Sequence, residues 1–148
     1  MSKMLQQRSW IGAMALAGAV GLLASCQSMA PMMAGQQVML SGSNEVPPVA
    51  TSASGSGTVT ISADRSVSAQ VSVTGMTATA AHIHEGAAGA NGPVIVPFTK
   101  TGDNAFAAAP GAKLTDAQYA SYKAGNLYVN VHSAKNPGGE VRAQLKGN

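Results

Sequence analysis

The sequence predicts an all-β domain, an antiparallel β-sandwich with one short crossover helix. Three observations predict it. Several stretches alternate apolar and polar residues with period two, which marks strands buried on one face. These stretches are short and evenly spaced, with turn residues between them. One segment alone departs from the alternation and carries the signals of a helix start and stop.

Taken in order, a first strand is read over Val38–Leu40. "GTVTIS" turns Val59 and Ile61 to one face and Thr58, Thr60 and Ser62 to the other. "VSAQVSV" turns Val67, Ala69, Val71 and Val73 inward. Further strands are read over Ala80–His84 and Pro93–Phe98. "LTDAQYASYKAGN" has Thr115 with Gln118 three residues on, a capping-box spacing, and Gly125 where a helix would stop, so a helix is expected over Thr115–Ala124. "LYVNVH" places Leu127, Val129 and Val131 inward, with Tyr128, Asn130 and His132 outward. "EVRAQL" places Val141, Ala143 and Leu145 inward, and its outward Glu140 and Arg142 read most simply as a surface ion pair of little energetic weight. "NPGGE" between these two strands reads as a hairpin turn.

Ahead of the domain lies a targeting segment. Lys3 and Arg8 precede an uncharged apolar run, Trp10 to Leu23, that is short of the roughly 20 residues a membrane span requires. It suits a secretory signal over residues 1–25. Its end, Leu23-Ala24-Ser25-Cys26, resembles the lipobox of bacterial lipoproteins, with Cys26 the thiol that takes the lipid. Residues 26–35 then read as a lipidated cysteine and a flexible tether, and residues 36–148 as the domain. Met29, Met32 and Met33 in the tether are soft enough to ligate copper, but the composition favours a plain linker. Gln27 after the cysteine, with no Asp there, resembles lipoproteins sorted to the outer membrane, facing the periplasm.

The charge pattern excludes nucleic acid. The chain has 9 Lys and Arg against 6 Asp and Glu, and two of the basic residues leave with the signal. The rest are scattered rather than gathered on one basic face. Cys26 is the single cysteine, so no intrachain disulfide can form. No nucleophile elbow or Ser-His-Asp set is legible. "GAAGANG" lacks the spacing and the following helix of a phosphate loop.

The chemistry is in the histidines. In "AHIHE", Ile83 points one way and His82 and His84 the other, about 6.6 Å apart along a strand. Two imidazoles at that separation can converge on one metal through bonds of about 2.0 Å. His132 also falls at an outward strand position, and a third nitrogen would make a site suited to copper or, as the lesser alternative, zinc. The competing reading is three histidines on a solvated face. Glu85 is a candidate hydrogen-bond partner for a ligand imidazole, or a surface charge at a strand end.

The residues "LSGSNEVPPV", "AHIHEGAAGANGPV" and "LYVNVHSAKNPGGEVRAQL" resemble the CHRD domain, named after chordin, from about Val38 to Leu145. That resemblance implies an exported domain. Bacterial members are often lipoproteins, while chordin itself is an extracellular protein that binds growth factors. "HIHEG" is also similar to the His-x-His strand that holds copper in Cu/Zn superoxide dismutases. This similarity implies a Greek-key sandwich, immunoglobulin-like or superoxide dismutase-like. It implies His82 and His84 as copper ligands, with His132 in the place of the later histidine. The chain departs from that family in lacking a fourth histidine, a zinc loop and a disulfide, so one copper site is the most that carries over. The expectation is thus an envelope lipoprotein that binds one copper ion through His82, His84 and His132 for storage, delivery or tolerance. The rivals are an interaction or adhesion module for an envelope partner, without metal, and a metal-dependent, superoxide dismutase-like enzyme.

Overall fold

β-branched and small apolar residues at alternate positions form eight antiparallel strands in a computed structural model, which describes residues 35–147. The secretory signal read over residues 1–25, Cys26 and the methionine tether lie outside the described residues, apart from Gly35. The strands are β1 (Gln36–Ser41), β2 (Ser54–Ile61), β3 (Val67–Thr74), β4 (Ala78–Glu85), β5 (Val94–Gly102), β6 (Ala105–Ala108), β7 (Leu127–Ser133) and β8 (Val141–Gln144). One helix, α1 (Asp116–Lys123), lies in the crossover between β6 and β7. Its capping box is the one expected: Thr115 Oγ1 accepts from the Gln118 amide, and Gln118 Oε1 accepts from the Thr115 amide.

The strands run in the order β1-β2-β3-β6-β5-β4-β7-β8 and close into one barrel. β4, β5 and β6 form a meander, β7 returns beside β4, and β3 lies beside β6, which is Greek-key connectivity. The expected sandwich of two sheets is therefore corrected to a closed barrel. The reason is β6, "AFAA", a strand too short and too alanine-rich to read from its sequence. It pairs with both β3 and β5 and joins what would otherwise be two sheets. The other seam is narrow, a single register pair of Ser41 with Arg142 between β1 and β8. The first half of β2 was also not anticipated. Its glycines allow close approach of β3: a Cβ at Gly57 would lie 2.2 Å from the Gln70 carbonyl oxygen.

The inward faces fall where the alternation places them. Val59, Ile61, Val67, Ala69, Val71, Val73, Leu127, Val129, Val131, Val141, Ala143 and Leu145 are all buried, with Ile83 and Phe106 among them. Each fully buried Val, Leu or Ile contributes roughly 1.5–3 kcal/mol of hydrophobic stabilisation.

The outer face of β7 and β8 departs from expectation. β7 is buried along its whole length, because the loops 86–93 and 134–140 fold over it. Tyr128, Asn130 and His132 point outward but away from water. Glu140 and Arg142 are buried too, and they are not an ion pair. Glu140 accepts hydrogen bonds from Thr51 Oγ1 at 2.7 Å and from Ser133 Oγ, while Arg142 bonds to the 86–93 loop and Gln144.

Candidate metal centre

Strand pairing brings the three histidines together. β4 and β7 are neighbours, with His82 opposite Asn130, His84 opposite Tyr128 and Ala80 opposite His132. His132 thus stands diagonally across from His82 on the same outer face. On the other side of β4 the register with β5 shifts between Ile83 and His84, leaving Ile95 as an extra residue on β5. Such a bulge re-aims the side chains beside it. The ring centroids lie 5.5 Å apart for His82–His84, 4.8 Å for His82–His132 and 6.0 Å for His84–His132. One donor nitrogen of each lies within 4.8 Å of the other two.

Backbone carbonyls fix which nitrogens face inward. His84 Nδ1 lies 2.9 Å from the Gly92 carbonyl oxygen, and His132 Nδ1 lies 2.9 Å from that of Pro137. A carbonyl only accepts, so both Nδ1 atoms carry the proton and both Nε2 atoms present a lone pair. His82 Nδ1 then donates to His132 Nε2 at 3.0 Å. His84 Nε2 is buried and has no hydrogen-bond partner at all. Buried polar atoms are rarely left so, and an orphaned lone pair beside two other imidazoles suits a cation. Metal–nitrogen bonds of about 2.0 Å allow no two ligands to be more than about 4 Å apart, so a bound ion would draw the widest pair together by about 1 Å.

His82 and His132 are held as neutral imidazoles. Burial, followed by the neighbouring rings of His132 and His84, lowers His82 to about 4 from an ordinary 6.5. Burial also lowers His132, against the pull of the Pro137 carbonyl, with His84 adding to the lowering. Neutral rings are the form that binds metal.

Glu85 makes no hydrogen bond to the three histidines among the described residues. Its Oε1 accepts from Ser121 Oγ at 2.5 Å, which ties the end of β4 to α1. The ligands are supported instead by outward residues of β7 and β8, by the turn that carries Pro137, and by Glu45. Tyr128 stacks on His84 with centroids 4.9 Å apart and planes 9° apart. Its hydroxyl accepts from the Gly92 amide at 3.1 Å, which braces the loop that holds His84. Arg142 lies over Tyr128, its guanidinium carbon 3.4 Å from the ring centroid. Asn130 Nδ2 reaches Glu45 Oε1 and the Gly138 carbonyl at 3.4 Å each, beneath the turn that carries Pro137. Burial raises the Glu45 pKa, with Arg142, Asn130 and the Val46 amide pulling the other way.

The fold and the site define a class, a Greek-key β-barrel with three histidines gathered on the outer face of two adjacent strands. The family model for the CHRD domain matches residues 36–145, and the chain belongs to that family. No curated protein and no solved structure matches the chain.

Proposed function

We propose that this protein is an envelope lipoprotein, anchored through Cys26, whose CHRD domain binds one copper ion. The ligands are His82 through Nδ1, His84 through Nε2 and His132 through Nε2. The single observation that carries this reading is His84 Nε2, buried without a partner beside two other imidazoles. Three imidazole donors without thiolate or carboxylate suit copper. The resemblance of "HIHEG" to a copper-holding strand supports the same choice. Coordination through Nδ1 would require the neutral His82 tautomer with its proton on Nε2. His82 is half-buried while the other two ligands are buried, so the ion approaches from its side. Storage, delivery or tolerance of copper in the envelope is the corresponding role.

Copper titration of the purified chain beside a His82→Ala/His84→Ala variant tests this. One-to-one binding at submicromolar affinity, lost in the variant, is expected. Equal weak binding by both proteins would defeat the copper reading and return the domain to an interaction module.

A further inference from the structure

Arg142 is 1% exposed and is the only buried Lys or Arg among the described residues. Every acceptor it bonds is neutral: the Ala90 carbonyl at 2.8 Å, Asn91 Oδ1 at 3.1 Å, Gln144 Oε1 at 3.2 Å and the Ala87 carbonyl at 3.3 Å. No carboxylate contacts it, since Arg65–Asp116 is the one salt bridge among the described residues; the buried Glu45 feels its charge from beyond contact distance, and burial raises the Glu45 pKa against that pull. A buried cation without an anionic contact is costly and commonly marks a task.

Its position shows what that task would act upon. β7 runs between β4 and β8, so His84 and Arg142 come to the Tyr128 ring from opposite sides. The guanidinium lies 3.4 Å from the Tyr128 centroid, and the Tyr128 ring lies flat on His84. Guanidinium, phenol and ligand imidazole form a three-layer stack. The charge is held in low-dielectric surroundings on the protein side of the site.

We propose that Arg142 sets the oxidation state the site accepts, making it a Cu(I) site. The proposal rests on the copper reading above. A fixed positive charge repels Cu(II) by one unit more than Cu(I). At about 10 Å and an effective dielectric of about 20, that difference is worth roughly a factor of ten in relative affinity. Arg142 also has a plainly structural role. It holds the 87–91 loop, and that loop leads into Gly92, whose carbonyl takes the His84 Nδ1 proton. Loss of that role would weaken binding of both ions alike. Only the charge changes their ratio.

The test measures Cu(I) affinity under anaerobic conditions and Cu(II) affinity, each against a competing chelator. The purified chain is compared with its Arg142→Gln and Arg142→Lys variants. The unaltered chain is expected to bind Cu(I) more tightly than Cu(II). Arg142→Gln is expected to lower the Cu(I)/Cu(II) affinity ratio about tenfold, a drop of about 59 mV for this one-electron couple. Arg142→Lys keeps the charge and loses the planar fork, so both affinities should fall while the ratio stays within about threefold. Equal losses for both ions in Arg142→Gln would overturn the proposal while leaving the copper site standing. Tighter binding of Cu(II) than Cu(I) by the unaltered chain would also overturn it, whether or not the variants fold. Absence of binding of either ion to the unaltered chain overturns the copper site and this inference together.

Discussion

His82 Nδ1 lies 3.0 Å from His132 Nε2 across 50 residues of chain. Strand register alone makes that contact, since β7 returns beside β4 instead of following the meander. His132 is therefore the ligand that depends on the Greek-key connection, whereas His82 and His84 are neighbours by sequence. Replacing His132 with Ala leaves a two-nitrogen site and frees His82 Nδ1 of its acceptor. Copper affinity is expected to fall at least tenfold in His132→Ala, as measured by competition titration. Affinity equal to that of the unaltered chain would mean that the strand pair binds copper alone.

The pH dependence follows from the lowered histidines. His82 is held near 4 against an ordinary 6.5, and His132 is lowered as well. Between those values the unfolded chain binds more protons than the folded one, so stability rises with pH there. The stability of the metal-free chain is expected to be full above about pH 6.5 and to fall as the pH drops toward 4. Thermal melts from pH 4 to 7.5 measure this, and His82→Ala should flatten the slope. Copper binding should also persist through pH 6 to 5, where an exposed histidine pair of ordinary pKa would release the ion. A half-release point near 6.5 would count against the buried, neutral cluster.

Two glycines of one loop separate steric need from backbone need. A Cβ at Gly92 would lie 1.6 Å from the Glu85 carbonyl oxygen, so Gly92→Ala must push the loop off β4. That displaces the carbonyl that orients His84. Gly92→Ala is expected to cost roughly 1–3 kcal/mol of stability and to weaken copper binding. Gly89 has φ +79 with open space around it. Gly89→Ala should cost about 1 kcal/mol through backbone strain alone and leave copper binding unchanged. Melting curves and titrations of the two variants side by side check both statements.

The alternation made the strands and their inner faces legible, because period two follows directly from the pleat. The Thr115–Gln118 spacing and Gly125 did the same for α1, whose caps are local chemistry. Convergence of the histidines was not legible, since it depends on which strands become neighbours. β6 escaped because "AFAA" holds one large apolar residue and no polar alternation. The burial of Arg142 and Glu140 is hidden from the sequence for a related reason. Their outward parity was correct, but parity does not say that a loop will cover that face. The glycine-rich "GAAGANG" held the missing clue, as a segment whose backbone carbonyls are free to satisfy a buried guanidinium.

Ile83 sits between His82 and His84 and is fully buried on the opposite face of β4. It fixes the strand that aims both ligands, yet touches the site only through the backbone. Ile83→Val removes one methylene and should cost about 0.5–1.5 kcal/mol with copper binding intact. Ile83→Ala leaves a cavity under the site and should cost roughly 2–5 kcal/mol. Denaturant midpoints measure both costs, with and without copper. Bound copper should recover part of the loss in Ile83→Ala, because the ion binds only the folded barrel.

The capping box offers the complementary control, a stability change remote from the histidines. Thr115 Oγ1 accepts the Gln118 amide at 3.2 Å, and Gln118 Oε1 accepts the Thr115 amide at 2.9 Å. Thr115→Ala removes the first bond and loosens the second. The expected cost is about 1 kcal/mol, within the roughly 0.5–2 kcal/mol range for lost N-caps. The one hydrogen bond between α1 and the ligand strand among the described residues is Ser121 on Glu85, at the far end of the helix from its cap. Copper affinity should therefore be unchanged in Thr115→Ala at temperatures below its melting point. A parallel loss of copper binding and stability would instead show that the histidine cluster senses global stability. In that case the effect of Gly92→Ala could no longer be assigned to the His84 anchor.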